Sequence, residues 1–386
     1  MGIPLNYNLR NLKVRLAATI MTVLGIAVSV AVALFTLALL HGLQTSFRKH
    51  GEKLNLILVR KGSGAEFTSS IPLDSLGVVK TLPGIAVDAE NRPLVSGEVI
   101  AVVVLSRRKG GGETNVTIRG TTDIGLELRP RLHLVAGRWF RSGQQEIIIS
   151  RSVEKRFVGV DLDKKVRLGS ADWQVVGIFD SGGSSQESEI LADVNQVATN
   201  FHRPNYSSIL AQATDEVAQA GLIQRIADDQ RLNLDATPEQ VFFAKQTQSG
   251  SSIRFTGTLT TIIMAFGSCF AAMNTMYAAI IYRSREIATL RTLGFTRASV
   301  VASFLLEALL IALLGFIVAV VAMLPFNGFV GDTLNPSSFS EVVFQLQLSR
   351  SVLFQAFIFA LLIGFVGGAL PAWHSARRPI ADGLQN

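Results

Sequence analysis

Four long stretches without regular polar positions dominate the hydrophobic pattern of the chain. They occupy residues 16–40, 255–282, 299–326 and 351–374, and Glu307 is the one charged residue among them. Each stretch exceeds the roughly 20 residues that a helix needs to cross the hydrocarbon core of a bilayer. The first is also too long for the apolar core of a cleavable secretory signal. The pattern predicts transmembrane helices at 16–40, 255–282, 299–326 and 351–373.

The segment 41–254, between the first two predicted helices, has a different pattern. Short β-branched or alternating runs at 54–59, 99–105, 146–150 and 173–179 predict strands, whereas 73–80 and 217–226 have helical spacing. A strand-rich lobe inserted at about 116–195 fits this arrangement. The predicted fold class is an α-helical membrane protein with four transmembrane helices and a large α+β extracytoplasmic domain between helices 1 and 2.

The distribution of charge predicts the orientation. Residues 42–253 carry 25 Lys and Arg against 24 Asp and Glu, whereas basic residues predominate in the short segments 1–15, 283–298 and 374–386. Positive charge on short loops is retained in the cytoplasm, and long domains cross largely regardless of charge. We therefore expect both termini and the 283–298 turn to be cytoplasmic, with 41–254 and the 327–350 loop outside. The expected location is the bacterial inner membrane.

Composition excludes several other classes of protein. Hydrophobic residues make up 48% of the chain and charged residues only 17%, which indicates lipid rather than nucleic acid as the surroundings. Cys269 is the single cysteine, so no internal disulfide can form. No Gly-Lys dipeptide occurs, which excludes a phosphate-binding loop of the Gly-x-x-x-x-Gly-Lys-Ser/Thr kind in this sequence. The five histidines are scattered, and we predict neither a catalytic residue nor a metal site.

Three motifs are more specific. The turn after the second helix reads Arg-Ser-Arg-Glu-Ile-Ala-Thr-Leu-Arg-Thr-Leu-Gly at 283–294, and Phe-Leu-Leu-Glu-Ala-Leu-Leu follows at 304–310. The last helix ends in Pro-Ala-Trp-His-Ser-Ala-Arg-Arg-Pro at 371–379, and the segment before the first helix reads Asn-Leu-Arg-Asn-Leu-Lys-Val-Arg at 8–15. Together, around one large outer domain, these motifs resemble the FtsX-like permease family in its MacB-type branch, the membrane subunits of ABC systems. The resemblance covers the whole chain.

The resemblance implies a function and a set of partners. It implies a permease that couples ATP hydrolysis by a separate cytoplasmic ABC ATPase dimer to movement of its outer domain, by mechanotransmission, for export or release of a substrate. The chain itself would be no enzyme and would bind no cofactor, since ATP and Mg²⁺ would belong to the ATPase. A second permease copy, a homodimer rather than a heterodimer, membrane lipid and a periplasmic adaptor are the other expected partners.

The 283–298 turn has two interpretations from its residues alone. Residues 256–293 contain no helix breaker other than scattered glycines, and Gly294 is placed to end the helix. Ile287, Leu290 and Leu293 then recur every third position among charged residues. The turn is either a basic loop that only sets topology or a coupling helix with apolar anchors and a charged rim in a groove of the ATPase.

The resemblance favours the coupling helix. The predicted ATPase-coupling residues are Arg283, Arg285, Glu286, Ile287, Leu290, Arg291, Leu293 and Gly294. Within the membrane, Glu307 is expected to face other helices, as a hydrogen-bonded packing residue rather than a proton relay. Gly364 and Gly368 form a Gly-x-x-x-Gly pattern that permits close helix packing.

Two other functions fit the sequence. Within the same family, the chain would belong to a complex that releases lipoproteins or activates a cell-wall hydrolase. In a different class, it would be a membrane-anchored sensor that has no ATPase. An ATPase that co-purifies with the chain would separate the family functions from the sensor.

Overall fold

The computed structural model describes residues 16–48, 51–108, 111–246, 251–282, 284–335 and 340–377. The predicted terminal segment 1–15 and residues 378–386 of the tail lie outside the described residues. The chain divides into two compact units. The four long helices make up one, which we call the helical unit, and Gly42–Ser251 with Val330–Gln345 make up the other, which we call the outer unit.

Four helices are long and apolar enough to cross a membrane, which confirms the predicted number. They are α1 (Leu16–Arg48), α8 (Ser251–Tyr282), α10 (Arg297–Met323) and α11 (Arg350–Arg377). Their apolar spans cover Thr19–Leu43, Phe255–Tyr282, Arg297–Phe326 and Arg350–His374. A short helix, α9 (Ser284–Thr292), lies between α8 and α10, and Arg283 in front of it lies outside the described residues.

Hydroxyl groups join α1 to α8. The Thr22 hydroxyl donates to the Thr275 hydroxyl at 2.8 Å, and Ser29 and Ser268 are hydrogen-bonded to each other. Ser268 also donates to the carbonyl of Gly25 at 3.2 Å. Hydrogen bonds between helices are useful in a membrane because lipid offers no competing partner. The helices that precede and follow most of the outer unit are therefore fastened along their length.

Glycines set the other close contacts of the helical unit. A Cβ on Gly364 of α11 would lie 2.6 Å from the Cβ of Ala312 on α10. A Cβ on Gly368 of α11 would lie 2.5 Å from the Cβ of Ala308 on α10. On α10, a Cβ at Gly315 would lie 2.8 Å from Ile26 Cγ2 of α1. Small residues let the helix backbones approach. The predicted Gly-x-x-x-Gly residues lie at the α10–α11 contact.

The outer unit is built on one mixed sheet. In the described chain its strands are β1 (Asn55–Arg60), β2 (Val95–Ser106), β3 (Glu113–Thr121), β4 (His133–Gly137), β5 (Glu146–Ser150), β6 (Lys165–Leu168), β7 (Ala171–Asp180), β8 (Glu189–Asp193), β9 (Ser208–Gln212) and β10 (Leu234–Pro238). Their order is β10-β1-β9-β2-β3-β8-β5-β7-β4, with β6 beside β7. This sheet with its helices confirms the predicted α+β domain.

Within the described residues of the outer unit, six helices and the end of α1 accompany the sheet. They are α2 (Leu73–Lys80), α3 (Asp123–Glu127), α4 (Arg151–Arg156), α5 (Val194–Asn200), α6 (Glu216–Asp228) and α7 (Glu239–Gln246), together with the end of α1. Short 3₁₀ turns lie at Glu66–Thr68 and Ser185–Ser188. The predicted helices at 73–80 and 217–226 correspond to α2 and α6.

Strand β2 passes from one part of the sheet to the other. Its first residues, Val95–Glu98, pair with β9, and the following residues, Val99–Ser106, pair with β3. Two apolar clusters lie on either side of this transition, one around Leu56, Ile71 and Leu222 and one around Ile118, Trp173 and Phe157. The lobe predicted at about 116–195 is therefore continued by the second half of β2, Val99–Ser106, which pairs with β3.

The connection between α10 and α11 contains a hairpin that the hydrophobic pattern does not reveal. Strands β11 (Val330–Asn335) and β12 (Ser340–Gln345) pair in antiparallel register, and β12 lies against β3 and the Ser185–Ser188 turn. Residues 336–339 lie outside the described residues. The described residues Val330–Asn335 and Ser340–Gln345 of the predicted 327–350 loop are thus strands of the outer unit.

Candidate functional site

The turn between α8 and α10 has the capping geometry expected from its sequence. Gly294 adopts a φ of +96°, a left-handed conformation that glycine takes without steric strain. The Thr296 side chain accepts a hydrogen bond from the Ser299 N–H and so caps α10. These two residues end α9 and restart the chain as α10. The predicted helix stop and helix start are both observed.

The predicted coupling residues of the turn do not share one face. Leu293 is 72% exposed and Arg285 is exposed, whereas Ile287 is only 9% exposed and Arg291 is half-buried. Arg283 and the side chains of Glu286 and Leu290 lie outside the described residues. Ile287 and Leu293 are six positions apart, which places them about 120° apart around a helix of 3.6 residues per turn. Ile287 is therefore buried whereas Leu293 is exposed, and the coupling role of both residues stays a prediction.

Ile287 belongs to a buried cluster that we call the turn cluster. Its other members come from three spanning helices: Met276 and Ile280 from α8, Val300, Phe304 and Ala308 from α10, and Ala372 from α11. All are at most 9% exposed. Close-packed side chains transmit a displacement because interiors have few voids and low compressibility. The helix α9 is thus packed directly onto the ends of α8, α10 and α11.

The turn motif with its continuation at 304–310 and the motif of the last helix meet at the turn cluster, whereas the motif at 8–15 lies outside the described residues. Ile287 comes from the turn motif, Phe304 from the motif in the third spanning helix, and Ala372 from the motif at the end of the last helix. The Tyr277 hydroxyl also lies 2.9 Å from His374 Nδ1, which joins α8 to the last turns of α11. Sequence reasoning identified the motifs separately, and the tertiary structure brings them together.

Glu307 lies one position before Ala308 on α10 and is 5% exposed. Its burial places it inside the helical unit, as expected for a carboxyl group in a membrane span, where exposure to lipid is costly. The neighbouring contact between Ala308 and Gly368 keeps α10 and α11 close at this level.

A second feature, in the outer unit, was not found by sequence reasoning. Arg119 Nη1 lies 2.9 Å from Glu66 Oε1 and 2.7 Å from Glu98 Oε2, and Arg119 Nε lies 2.9 Å from Glu189 Oε2. Arg129 donates to both oxygens of Glu98, at 2.6 and 2.7 Å. All five side chains are buried. The available signal was a charged residue within each apolar strand run, at Glu98 in β2 and at Arg119 in β3.

Opposing effects act on the Glu98 carboxyl. Burial disfavours its charged form, but the Arg129 and Arg119 guanidinium groups outweigh burial and lower the pKa of Glu98 to about 2. Glu98 stands where β2 passes from β9 to β3, so the charged network ties the two parts of the sheet together. Removing one partner of a buried ion pair leaves an uncompensated charge and so destabilises the fold. The role of this network is therefore structural.

Other chemistry has little support in the described chain. Among the described residues no group of three or more His, Cys, Asp or Glu side chains is arranged to hold a metal ion. Cys269 is a free, half-buried cysteine on α8. Burial makes a thiol neither more reactive nor more accessible to reagents. The interactions at the two sites are apolar packing and ion pairing.

Two family models match the chain. The model described as the MacB-like periplasmic core domain matches residues 19–229, and that described as the FtsX-like permease C-terminal domain matches residues 258–380. Neither is a nucleotide-binding domain.

Several known proteins are similar in sequence. The macrolide export ATP-binding/permease protein MacB of Acinetobacter baylyi is 24% identical over 398 residues, which cover 93% of this chain and 56% of the relative. The MacB protein of Pasteurella multocida is also 24% identical, with the same coverage. The uncharacterized ABC transporter permease YknZ of Bacillus subtilis is 24% identical, covering 71% of this chain and 70% of the relative. This chain thus spans about half the length of the MacB relatives.

Two solved structures resemble the chain in part. The extracellular domain of YknZ from Gram-positive bacteria aligns with a TM-score of 0.36 and 18% identity, over 47% of this chain and 99% of that domain. The periplasmic region of MacB from Actinobacillus actinomycetemcomitans aligns with a TM-score of 0.39 and 14% identity, over 52% and 94%.

Four spanning helices with a large α+β unit between the first and second define a multi-pass membrane protein of the ABC transporter permease class. The chain belongs to the FtsX-like permease family, in its MacB-type branch.

Proposed function

We propose that the chain is the permease part of an ABC transporter that transmits ATP-driven movement across the bacterial inner membrane. In this proposal a cytoplasmic ABC ATPase dimer, with ATP and Mg²⁺ bound to it, docks on the α9 turn. Its closing and opening move the spanning helices, which move the outer unit and export or release a substrate. The charge pattern supports a cytoplasmic turn and an extracytoplasmic outer unit.

The turn cluster is the observation that carries this proposal. Ile287 of α9 is packed among residues of α8, α10 and α11, and Leu293 at the end of α9 is 72% exposed. A short helix with one buried and one exposed apolar side chain is suited to transmit movement to the spanning helices. A partner that moves the exposed face of such a helix also moves its buried face. A basic loop that only sets topology needs no such packing.

The route to the outer unit runs through α1 and α8. Both helices continue into the outer unit, at Gly42 and from Ser251. Hydrogen bonds of the Thr22–Thr275 and Ser29–Ser268 pairs hold the two helices together. We propose that they move as a pair.

The other partners belong to the proposal as well. A second copy of the chain, more readily than a different permease, would complete the membrane part, since four helices enclose little space for a substrate. A periplasmic adaptor would contact the outer unit. The relatives named as macrolide export ATP-binding/permease proteins support ATP as the energy source. The proposal for this chain names no particular substrate.

The decisive experiment substitutes the exposed end of α9. In Leu293→Asp, a charge is set against the apolar wall of any docking groove, where central anchors each contribute about 2 kcal/mol or more to binding. We expect the variant to insert normally and to lose co-purification of the ATPase and its stimulated hydrolysis.

A matched control changes the net charge of the same turn by the same amount. Arg297→Ala alters an exposed residue that follows Gly294, at the start of α10. We expect it to keep the ATPase and most of the stimulated hydrolysis. Equal retention of the partner by both variants would contradict docking on α9.

A further inference from the structure

Glu239 joins the two places where the chain enters and leaves the outer unit. It is the first residue of α7, the helix that precedes α8, and it follows the last residue of β10. Its Oε2 accepts a hydrogen bond from the Glu52 N–H at 3.0 Å and another from Asn55 Nδ2 at 2.9 Å. Glu52 and Asn55 belong to the segment that follows α1. One carboxyl oxygen therefore holds the chain after α1 to the chain before α8.

Neighbouring contacts show that this joint is close-packed. The Gln240 side chain donates to the carbonyl of Gly51 at 3.1 Å. A Cβ on Gly51 would lie 2.8 Å from Glu239 Cγ and 2.9 Å from the Gln240 nitrogen, so glycine is required there. Asn55 Nδ2 also donates to the carbonyl of Leu128 at 3.0 Å, which connects the joint to the region of Arg129.

The second oxygen of Glu239 is unpaired. Glu239 is 1% exposed, and its Oε1 has no hydrogen-bond partner in the part of the chain that the structure describes. Arg129, whose charge acts on Glu239, directs both end nitrogens to Glu98, and its Nε is also unpaired among the described residues. An unpaired buried oxygen costs far less in a neutral carboxyl than in a charged carboxylate.

Counting charges leads to the same conclusion. The buried charged network with Glu239 holds four carboxyl groups, of Glu66, Glu98, Glu189 and Glu239, against two guanidinium groups, of Arg119 and Arg129. The first three carboxyls each have an ion-pair partner, and among the described residues Glu239 has no cation at ion-pair distance. The remaining nearby charge, Glu52, pairs with Arg131 at 2.9 Å. Glu239 is thus the member of the network that is best placed to carry a proton.

We propose that Glu239 is a positioning residue that fastens the segment after α1 to the helix before α8, so that both helices move the outer unit together, and that the fastening is tightest when its carboxyl is protonated. This role rests on the proposed transmission of movement and adds a pH-sensitive joint to it.

The electrostatics of the joint supply the pH range. Burial, opposed by Arg129 and by hydrogen bonds from Glu52 and Asn55, raises the pKa of Glu239 to about 7. A folded pKa above the ordinary value near 4.5 means that the folded joint binds a proton more tightly than the opened joint. The resulting stabilisation is complete below pH 4.5 and is lost as the pH rises through about 7.

The test measures hydrogen–deuterium exchange of the 51–58 segment in the full chain reconstituted in lipid nanodiscs, corrected for the intrinsic pH dependence of exchange. Protection in the unaltered chain should fall about tenfold between pH 6 and pH 8. Glu239→Gln keeps the acceptor and cannot ionise, so its protection should be the same at both pH values. Glu239→Ala removes the acceptor, so the 51–58 segment of this variant should be unprotected at both pH values. Glutamine at the same position should restore the protection.

A matched control is Glu187→Gln. Glu187 is another buried carboxyl, and burial also raises its pKa. It accepts hydrogen bonds from the N–H and the hydroxyl of Ser181, and both residues are far in sequence from Glu239, Glu52 and Asn55. This variant should keep the tenfold pH dependence of the 51–58 segment. The fastening is refuted if Glu239→Gln behaves as the unaltered chain does, or if the unaltered chain shows no pH dependence.

A second measurement addresses the coupling. ATP-driven movement of the outer unit, followed by spin-label distances with the ATPase present, should weaken from pH 6 to pH 8 in the unaltered chain and not in Glu239→Gln. Equal pH dependence in both would overturn the coupling role. If ATP moves the outer unit at no pH, the proposed function fails, whereas the exchange measurement still decides whether Glu239 fastens the joint.

Discussion

Gly368 of α11 and Ala308 of α10 lie so close that a Cβ on the glycine would stand 2.5 Å from that of the alanine. Real Cβ atoms essentially never approach below 3.0 Å, so glycine at 368 permits this contact. Ala308 also belongs to the turn cluster with Ile287. The contact between α10 and α11 therefore supports the surface on which α9 rests.

A larger residue at position 368 should destabilise the helical unit. Gly368→Leu forces α10 and α11 apart, and overpacking of this kind costs about 1–3 kcal/mol. Gly267→Leu is the matched control, since Gly267 of α8 is exposed and a Cβ there meets no atom within 4 Å. Unfolding in mixed micelles should show a loss for the first variant and little change for the second. Similar unfolding of both would mean that the α10–α11 contact is not limiting.

Docking and transmission should be separable at α9. Ile287→Ala leaves a cavity in the turn cluster, and large-to-small core substitutions of this kind cost about 2–5 kcal/mol when the site is fully buried. We expect this variant to bind the ATPase but to reduce ATP-driven movement of the outer unit, whereas Leu293→Asp should fail to bind. Binding by affinity capture and movement by spin-label distances provide the two measurements. Loss of ATPase binding in Ile287→Ala with an intact helical unit would show that Ile287 itself is part of the docking surface.

The buried charged network should be sensitive to the loss of Arg119. Arg119→Met leaves Glu66, Glu98 and Glu189 without their shared cation, and breaking a buried ion pair costs about 3–5 kcal/mol. The melting temperature of the outer unit should fall by several degrees or the unit should not fold. Arg231→Met removes an exposed pair with Asp229, where the arginine side chain is 80% exposed, and should leave the melting temperature unchanged. An equal effect of the two would contradict the structural role of the network.

Acid should weaken the outer unit through Glu98. Against the effect of burial, Arg129 and Arg119 hold the pKa of Glu98 at about 2 in the folded unit, compared with an ordinary value of 4.5 when unfolded, so its stabilisation is present above pH 4.5 and is lost as the pH falls toward 2. The loss is on the order of 3 kcal/mol, since one pKa unit corresponds to about 1.4 kcal/mol. Urea unfolding in a Trp373→Phe background, followed by the fluorescence of Trp139 and the buried Trp173, both in the outer unit, measures this slope. Glu239→Gln should retain it, and a flat profile below pH 4.5 would exclude Glu98 as its source.

Orientation can be tested with single cysteines in a Cys269→Ser background. Gln145 in the outer unit and Thr292 at the end of α9 are both exposed, which makes them suitable positions for reaction with a thiol reagent. The charge distribution predicts that an impermeant reagent added to intact cells labels Gln145→Cys and not Thr292→Cys. Permeabilised cells, in which both should react, provide the control. The reverse pattern in intact cells would invert the topology and remove the basis for ATPase docking on α9.

Local sequence determined the features of this protein that depend on length and on neighbouring residues. Uninterrupted apolar stretches of more than about 20 residues predicted four spanning helices, because a helix must span a hydrocarbon core of fixed thickness. Gly294 and Thr296 ended one helix and began the next through backbone conformation and capping, which involve only a few adjacent residues. The motifs of the turn and of the last helix carried the resemblance to the FtsX-like permease family, which the family models support.

Contacts between distant residues were decided by the tertiary structure alone. The direction of Ile287 depends on the rotation of α9 against three other helices, so its spacing in the sequence could not show that it packs into the turn cluster. The ion pairs of Glu98 and the hydrogen bonds of Glu239 join residues far apart in sequence. Sequence patterns report which side chains are apolar or charged, whereas the partner of a buried charge is set by how the strands and helices pack around it.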